Sequence, residues 1–191
     1  MTQVDRIRRH LFYGREMSAA ALEKGGTVDR LTANGVTILF GAPSERSLSD
    51  QALAAIRTAV AMREGLSNLV SQWRRRGILG KLAMRAGIQT GFCTVGVFGS
   101  ELLRSYTAVG TPVTISASLR DDASPGMIVC GPSTWGLLEE TPDIRSRSRG
   151  PRSLNGVGRP LVCYEILEIA GDRIEEAHPL PLLRDYSFLP R

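Results

Sequence analysis

A chain of 191 residues, 42% hydrophobic and 23% charged, is long enough for one packed domain with a short appendage and too short for two full domains. No apolar run approaches the ~20 residues of a membrane-spanning helix, and the "TQVDRIRRH" after Met1 has no signal-peptide core. A soluble cytoplasmic protein with no membrane partner is therefore expected. The net charge of +5 permits phosphate or nucleic-acid partners, but the arginines gather in short runs at 6–9, 74–76 and 145–152, the pattern of solvated helix ends and loops.

In chain order, residues 4–24 carry an apolar stripe of Ile7, Leu11, Met17, Ala20, Ala21 and Leu22. That spacing predicts a helix, stopped by Gly25-Gly26. Residues 27–41 predict a β-hairpin, because Asn34-Gly35 between runs of β-formers is turn chemistry that tolerates positive φ. Asp50 is expected to cap a helix over 51–76, where Ala52, Ala55, Ile56, Ala59, Val60, Leu66, Leu69, Val70 and Trp73 recur every three or four residues. Strands are expected over 82–90, 92–98 and 105–109, then a helix over 112–123 with Pro112 in its first turn and Thr111 and Thr114 as capping residues. A strand at 126–131, a helical turn at 132–140, an arginine-rich loop and a strand at 160–169 follow. The proline spacing after residue 169 reads as a tail, so the domain is placed at 1–169 and the tail at 170–191. The alternation of helices and hairpin strands predicts an α+β fold, a mixed or antiparallel sheet with helices on one face.

Ready-made chemical motifs are scarce. Cys93, Cys130 and Cys163 are widely separated in apolar runs, which suits buried small hydrophobes better than metal ligands or disulfides. His10 and His178 stand near opposite ends, and no phosphate-binding P-loop, GxSxG or HExxH pattern occurs. Gly87, Gly91, Gly96 and Gly99 are expected where strands and turns pack closely.

Four stretches, taken in order, carry a resemblance. "GGTVDRLTANGVTILFGAP", "RAGIQTGFCTVGVFGSELLRSYTAVGTPVTISASL", "SPGMIVCGPSTW" and "GPRSLNGVGRPLVCYEI" are similar to successive blocks of the class III adenylate/guanylate (nucleotidyl) cyclase catalytic domain. The similarity runs from about residue 12 to 168. It implies a ferredoxin-like nucleotidyl cyclase fold that works as a dimer. ATP or GTP would lie between two subunits, and attack of the 3′-oxygen on the α-phosphate would yield a cyclic nucleotide and pyrophosphate. The family site is shared: one subunit brings two aspartates that hold divalent cations, and the other brings groups that orient the ribose and steady the phosphorus. The cations activate the 3′-hydroxyl and neutralise phosphate charge, and hard anionic oxygens suit them.

Position by position, the same resemblance implies a degenerate site. One metal aspartate belongs to a Gly-Asp at the hairpin tip, where this chain has Ala33-Asn34. The other belongs to a Phe-x-Asp motif in the family's first strand. No such motif precedes Gly25, so the domain reads as N-terminally incomplete. The base-selecting lysine falls at Arg30, which keeps charge but not geometry. The aspartate partnering it falls at Thr111, the ribose asparagine at Thr114, and the arginine that steadies phosphorus at Ser118. A late lysine falls near Val157. Arg30 and Arg104 remain as cationic candidates for phosphate contact.

These positions predict a catalytically inactive cyclase-like domain that serves as a dimerisation or regulatory module of intracellular signal transduction. Its partner would be a second copy or a cyclase-like subunit. No cofactor is expected; Mg2+ or Mn2+ enters only with residual cyclase activity, and nucleotide binding is expected to be weak. The alternative is an active nucleotidyl cyclase assembled with a complementary subunit. A nucleic-acid-binding ferredoxin-like sheet is disfavoured, because its aromatic candidates Phe92, Phe98 and Tyr106 are expected in the core.

Overall fold

The computed structural model describes Gly14 and residues 17–32, 35–75, 77 and 82–170. Asn34, most of the first predicted helix and the tail from 171 onward lie outside the described residues. The helical turns over 17–23 (α1) lead into a hairpin of β1 (Thr27–Thr32) and β2 (Gly35–Leu39). Long helix α2 (Leu48–Arg75) follows, then β3 (Ala86–Ile88). A second hairpin, β4 (Thr94–Ser100) with β5 (Leu103–Val109), precedes α3 (Thr111–Asp122). The chain ends through β6 (Ile128–Cys130), short α4 (Pro132–Trp135), β7 (Ile144–Arg152) and β8 (Leu161–Ile169).

The central sheet runs in the order β3-β6-β8-β7, with β3 parallel to β6 and the remaining pairs antiparallel. Its inner strands alternate between two cores. Ile128 and Cys130 of β6 point toward Ala52, Ile56, Ala59 and Val60 of α2. Val129, between them, points the opposite way, toward Ile115 and Leu119 of α3. Helices therefore cover both faces of the sheet, not one. A strand that is apolar on successive residues, as "MIVC" is, demands this, since either face left open would expose it to water. Fully burying a side chain such as Ile56 or Leu119 contributes about 1.5–3 kcal/mol.

α2 begins earlier than its apolar stripe suggests, because Ser47 and not Asp50 is the cap. The Asp50 backbone N–H donates to Ser47 Oγ at 3.1 Å, and Ser47 Oγ–H donates to the Asp50 carboxylate at 2.6 Å. Ser47 is thus an N-cap whose hydroxyl is held in place by an aspartate in the third helical position. Ser47→Ala is expected to cost about 1 kcal/mol, read as a lowered urea midpoint with an unchanged slope. An unchanged midpoint would mean that the cap contributes nothing.

Residues 144–152, expected to be a loop, form the nine-residue strand β7. Arg/Ser alternation conceals it, because strand stability here comes from opposite charges on neighbouring elements. Arg145 pairs with Glu168 at 2.7 Å, and Arg147 covers the nearly buried Glu165 at 2.7 Å. Arg149 and Arg152 converge on Asp122 at the end of α3, at 2.9 and 2.6 Å. The basic run is thereby neutralised by the protein itself. Charged side chains also protect this edge strand from pairing with another chain.

Cys130 and Cys163 are fully buried as expected, whereas Cys93 is only half-buried. Burial pushes the Cys130 thiol up to about 12, with Cys163 nearby adding to the effect, and burial raises Cys163 as well. Both are protonated and inert at neutral pH. A thiol reagent should label neither in the native protein and both after unfolding; rapid native labelling of Cys130 would contradict the packing.

Candidate functional site

The expected site residues lie on two separate parts of the fold. Arg30 is on β1, opposite Thr37, just after an irregularity in strand register between Val28 and Arg30. Its side chain is exposed, and no hydrogen bond or ion pair holds it among the described residues. Asp29, the only carboxylate on the described strands of this hairpin, has a buried Oδ1 with no hydrogen-bond partner. Val28, Val36 and Ile38 anchor the hairpin on Met17, Ala21 and Met62. The tip residues Ala33 and Asn34 are not among those described.

Thr111, Thr114 and Ser118 fall on α3 at spacings of three and four, so they share one face. The capping expected of the two threonines is absent. Gly110 is the N-cap, it has no side chain to cap with, and the helix start shows no side-chain cap bond. Thr111 is already the first helical residue and stands exposed. Further along, the loop before β8 lies beside this face, although Thr114 remains exposed. Ser118 Oγ donates to the Asn155 carbonyl at 2.6 Å. A Cβ added to Gly156 would stand 3.2 Å from the Thr114 methyl, so that side chain rests against the same loop. Val157, near which a late lysine was expected, packs against Ile115, Leu119 and Leu154.

The chemistry available on this face is neutral hydroxyls, one of them already committed to a backbone carbonyl. Among the described residues no group of three or more His, Cys, Asp or Glu side chains could hold a metal ion. Nor does any hydrogen bond or ion pair described here join Arg30 to Thr111, Thr114 or Ser118. Arg104 projects from β5 opposite Gly99, exposed and without an ionic partner among the described residues. No described helix is long and apolar enough to cross a membrane.

One structural hydroxyl beside these elements escaped sequence reasoning. Thr134, fully buried at the start of α4, accepts the Thr90 N–H at 2.8 Å and lies 3.1 Å from the Thr90 hydroxyl. It fixes the segment linking β3 to the second hairpin. A polar residue in "GPSTWG" gave no signal of this, because its partner lies 44 residues away.

The geometry matches known proteins closely. The family model for the adenylate and guanylate cyclase catalytic domain matches residues 31–168. Among solved structures, the adenylyl cyclase CyaB from P. aeruginosa is 34% identical, with a TM-score of 0.81 over 88% of this chain and 84% of that one. The guanylyl cyclase Cya2 is 25% identical, with a TM-score of 0.79 over 91% and 86%. The guanylate cyclase domain of RhGC from Catenaria anguillulae, solved with GTP, shares the fold at 18% identity, with a TM-score of 0.75 over 88% of this chain and 87% of that one. Among curated proteins, none matches. The two-sided sheet, the paired hairpins and the match across most of the chain lead to one assignment: this chain belongs to the adenylate and guanylate cyclase catalytic domain family.

Proposed function

We propose that the chain is a cyclase-fold domain without cyclase activity, and that it acts as a pairing or regulatory module in intracellular signalling. The observation carrying this reading is the state of the α3 face. Where a cyclase needs an asparagine and an arginine, this chain has Thr114 against a loop and Ser118 bonded to the Asn155 carbonyl. A serine hydroxyl cannot supply fixed positive charge to a phosphorus centre. Losing one such donor costs on the order of 3 kcal/mol of transition-state stabilisation, although several such losses do not simply add.

The divalent cations that the family uses do not suit the residues here. Asn34 is a neutral amide where a carboxylate is needed, and a hard cation gains little from it against its own water shell. No catalytic step is therefore routed through a metal. The exposed Arg30 could still contact a phosphate weakly, which fits residual nucleotide binding better than turnover.

The pairing role is supported by the second hairpin. Phe92, Phe98 and Tyr106, expected in the core, are instead exposed, and Phe98 and Tyr106 stand with exposed Val95, Val97 and Val109 on a two-stranded unit that pairs with no other described strand. Such units are marginal in water unless something covers them. Titration with a non-hydrolysable ATP analogue, with and without Mn2+, tests the site reading. Binding should be weak and indifferent to the cation; strong tightening by Mn2+ would mean that a metal site exists.

A further inference from the structure

We infer that the chain's own C-terminal segment, Leu182–Leu189, adds as a strand in the slot between β2 and β3 and ties the first hairpin to the central sheet. The inference does not depend on how the catalytic positions are read.

The sheet is interrupted at that slot. β2 pairs with β1 and β3 with β6, and neither has a strand on its other edge among the described residues. Yet both rest on the same helix. Ala86 and Ile88 of β3 pack with Ala52, Ile56, Ala59 and Val60 of α2, whereas Val36 and Ile38 of β2 pack with Met62. Met84, just before β3, joins the Met62 cluster, so the two open edges flank one stretch of α2. At about 100° per residue, Met62 stands roughly 100° around the helix from the mean direction of the other four, about 8 Å across at the radius of the side chains. That separation matches two strand spacings of about 4.8 Å better than one.

Backbone groups on the β3 edge face the slot. The Ala86 N–H donates to the Met127 carbonyl and the Ile88 carbonyl accepts the Gly131 N–H, each at 3.0 Å. Gly87, between them, therefore turns its own N–H and C=O away from β6. Half-buried beneath α3, such groups are costly to leave unpaired. α2 adds a second orphan. Thr58, one turn before Met62 on the same face and 1% exposed, has a hydroxyl without a hydrogen-bond partner.

The end of the chain lies within reach. Ala86, Ile128 and Ile166 are level across the sheet, so β8 leaves it at the end where β3 begins, two strands away. Residues 171–181 span about 36 Å when extended, against about 10 Å to cross β6 and β3. Within the tail, 171–178 is dominated by Asp172, Arg173, Glu175 and Glu176, which do not suit a slot floored by Met62, Val36 and Ile38. Leu182–Leu189 does. It is free of proline between Pro181 and Pro190, and Tyr186 and Phe188 share one face with Ser187 between them. Tethering also gives this segment a higher effective concentration than the same segment of a second copy.

Amide exchange followed by NMR on the full chain tests the inference. The Gly87 N–H should be protected in the unaltered protein. Ser187→Pro removes an N–H from the middle of a strand paired on both sides, where proline is not accommodated. Gly87 exchange should then accelerate about tenfold or more, while Ile166, paired on both sides within the central sheet, stays slow. Ala177→Pro, outside the segment, should change neither. A peptide of residues 182–191 added at millimolar concentration should restore Gly87 protection to the Ser187→Pro chain; this recovery also decides the case in which Ile166 accelerates. An unprotected Gly87 in the unaltered chain, protection indifferent to Ser187→Pro, no recovery with the peptide, or protection found only in dimers that exchange tails would each overturn the inference.

Discussion

Gly87→Val is expected to leave the domain largely unfolded. Gly87 lies at the centre of β3, pressed under α3, and a Cβ there would run into the Ser116 carbonyl oxygen and the Arg120 backbone nitrogen. These are helix backbone atoms, which cannot rotate aside as a side chain can. Relief requires α3 to lift from the sheet, and that strips Leu119 and Ile115 from Val129. Overpacking of this kind adds to the lost burial, so the cost should reach about 4 kcal/mol or more, the extreme of single substitutions. Gly65→Ala provides the contrast. It lies within α2 with open space around its would-be Cβ, and alanine there should stabilise by about 0.5–1 kcal/mol. Circular dichroism during urea unfolding reads both. A Gly87→Val protein with a native midpoint would mean that α3 does not sit on the sheet as described.

Asp122 supplies the second large effect. Its carboxylate receives Arg152 through two hydrogen bonds, at 2.6 and 3.1 Å, and Arg149 at 2.9 Å. Asp122 and Arg149 are mostly shielded from water. The Arg152 hydrogen bonds, supported by the Arg149 charge, hold the Asp122 carboxyl below the usual carboxylate range despite partial burial, which works the other way. A depressed folded-state pKa means that the unfolded chain binds the proton more readily. The stabilisation is thus fully present above the unfolded value of about 4 and is lost as pH falls through the folded value. Asp122→Ala leaves Arg149 shielded without its counter-charge and should cost about 2–3 kcal/mol at neutral pH, discounted for partial exposure from the range for broken buried pairs. As pH falls below the unfolded value and through the folded one, the difference from the parent should shrink. A difference that stays constant into acid would show that packing, and not charge, holds β7 to α3.

The same pairs explain what the sequence revealed and what it concealed. The first hairpin, α2, α3 and β8 are visible because each carries its own signal: a turn dipeptide, a helical apolar stripe, a proline in the first turn, an apolar run. β7 carries none, since Arg145, Arg147 and Arg149 are ordered by Glu168, Glu165 and Asp122, residues 18 to 27 positions away. The covering of both sheet faces was concealed for a related reason. A short apolar run such as "IVC" does not say that its neighbours will face opposite helices. On the α3 face, the residue types were legible as hydroxyls in place of an amide and a guanidinium. Their engagement with Asn155 and Gly156 was not, because it depends on where a loop about forty residues later comes to rest. The threonines flanking Pro112 illustrate the limit of local reasoning: they have the chemistry of caps, but Gly110 takes the cap position.

The central claim is that a retained cyclase fold has lost its chemistry. Incubating the purified chain with ATP, and separately with GTP, in the presence of Mn2+ or Mg2+ and following cyclic nucleotide by chromatography tests it most directly. No product above the enzyme-free control is expected, and none from Asn34→Asp alone, since Thr114 and Ser118 still leave the phosphorus without support. Cyclic AMP or cyclic GMP formed by the unaltered chain, at a rate lowered by Asn34→Ala, would contradict it.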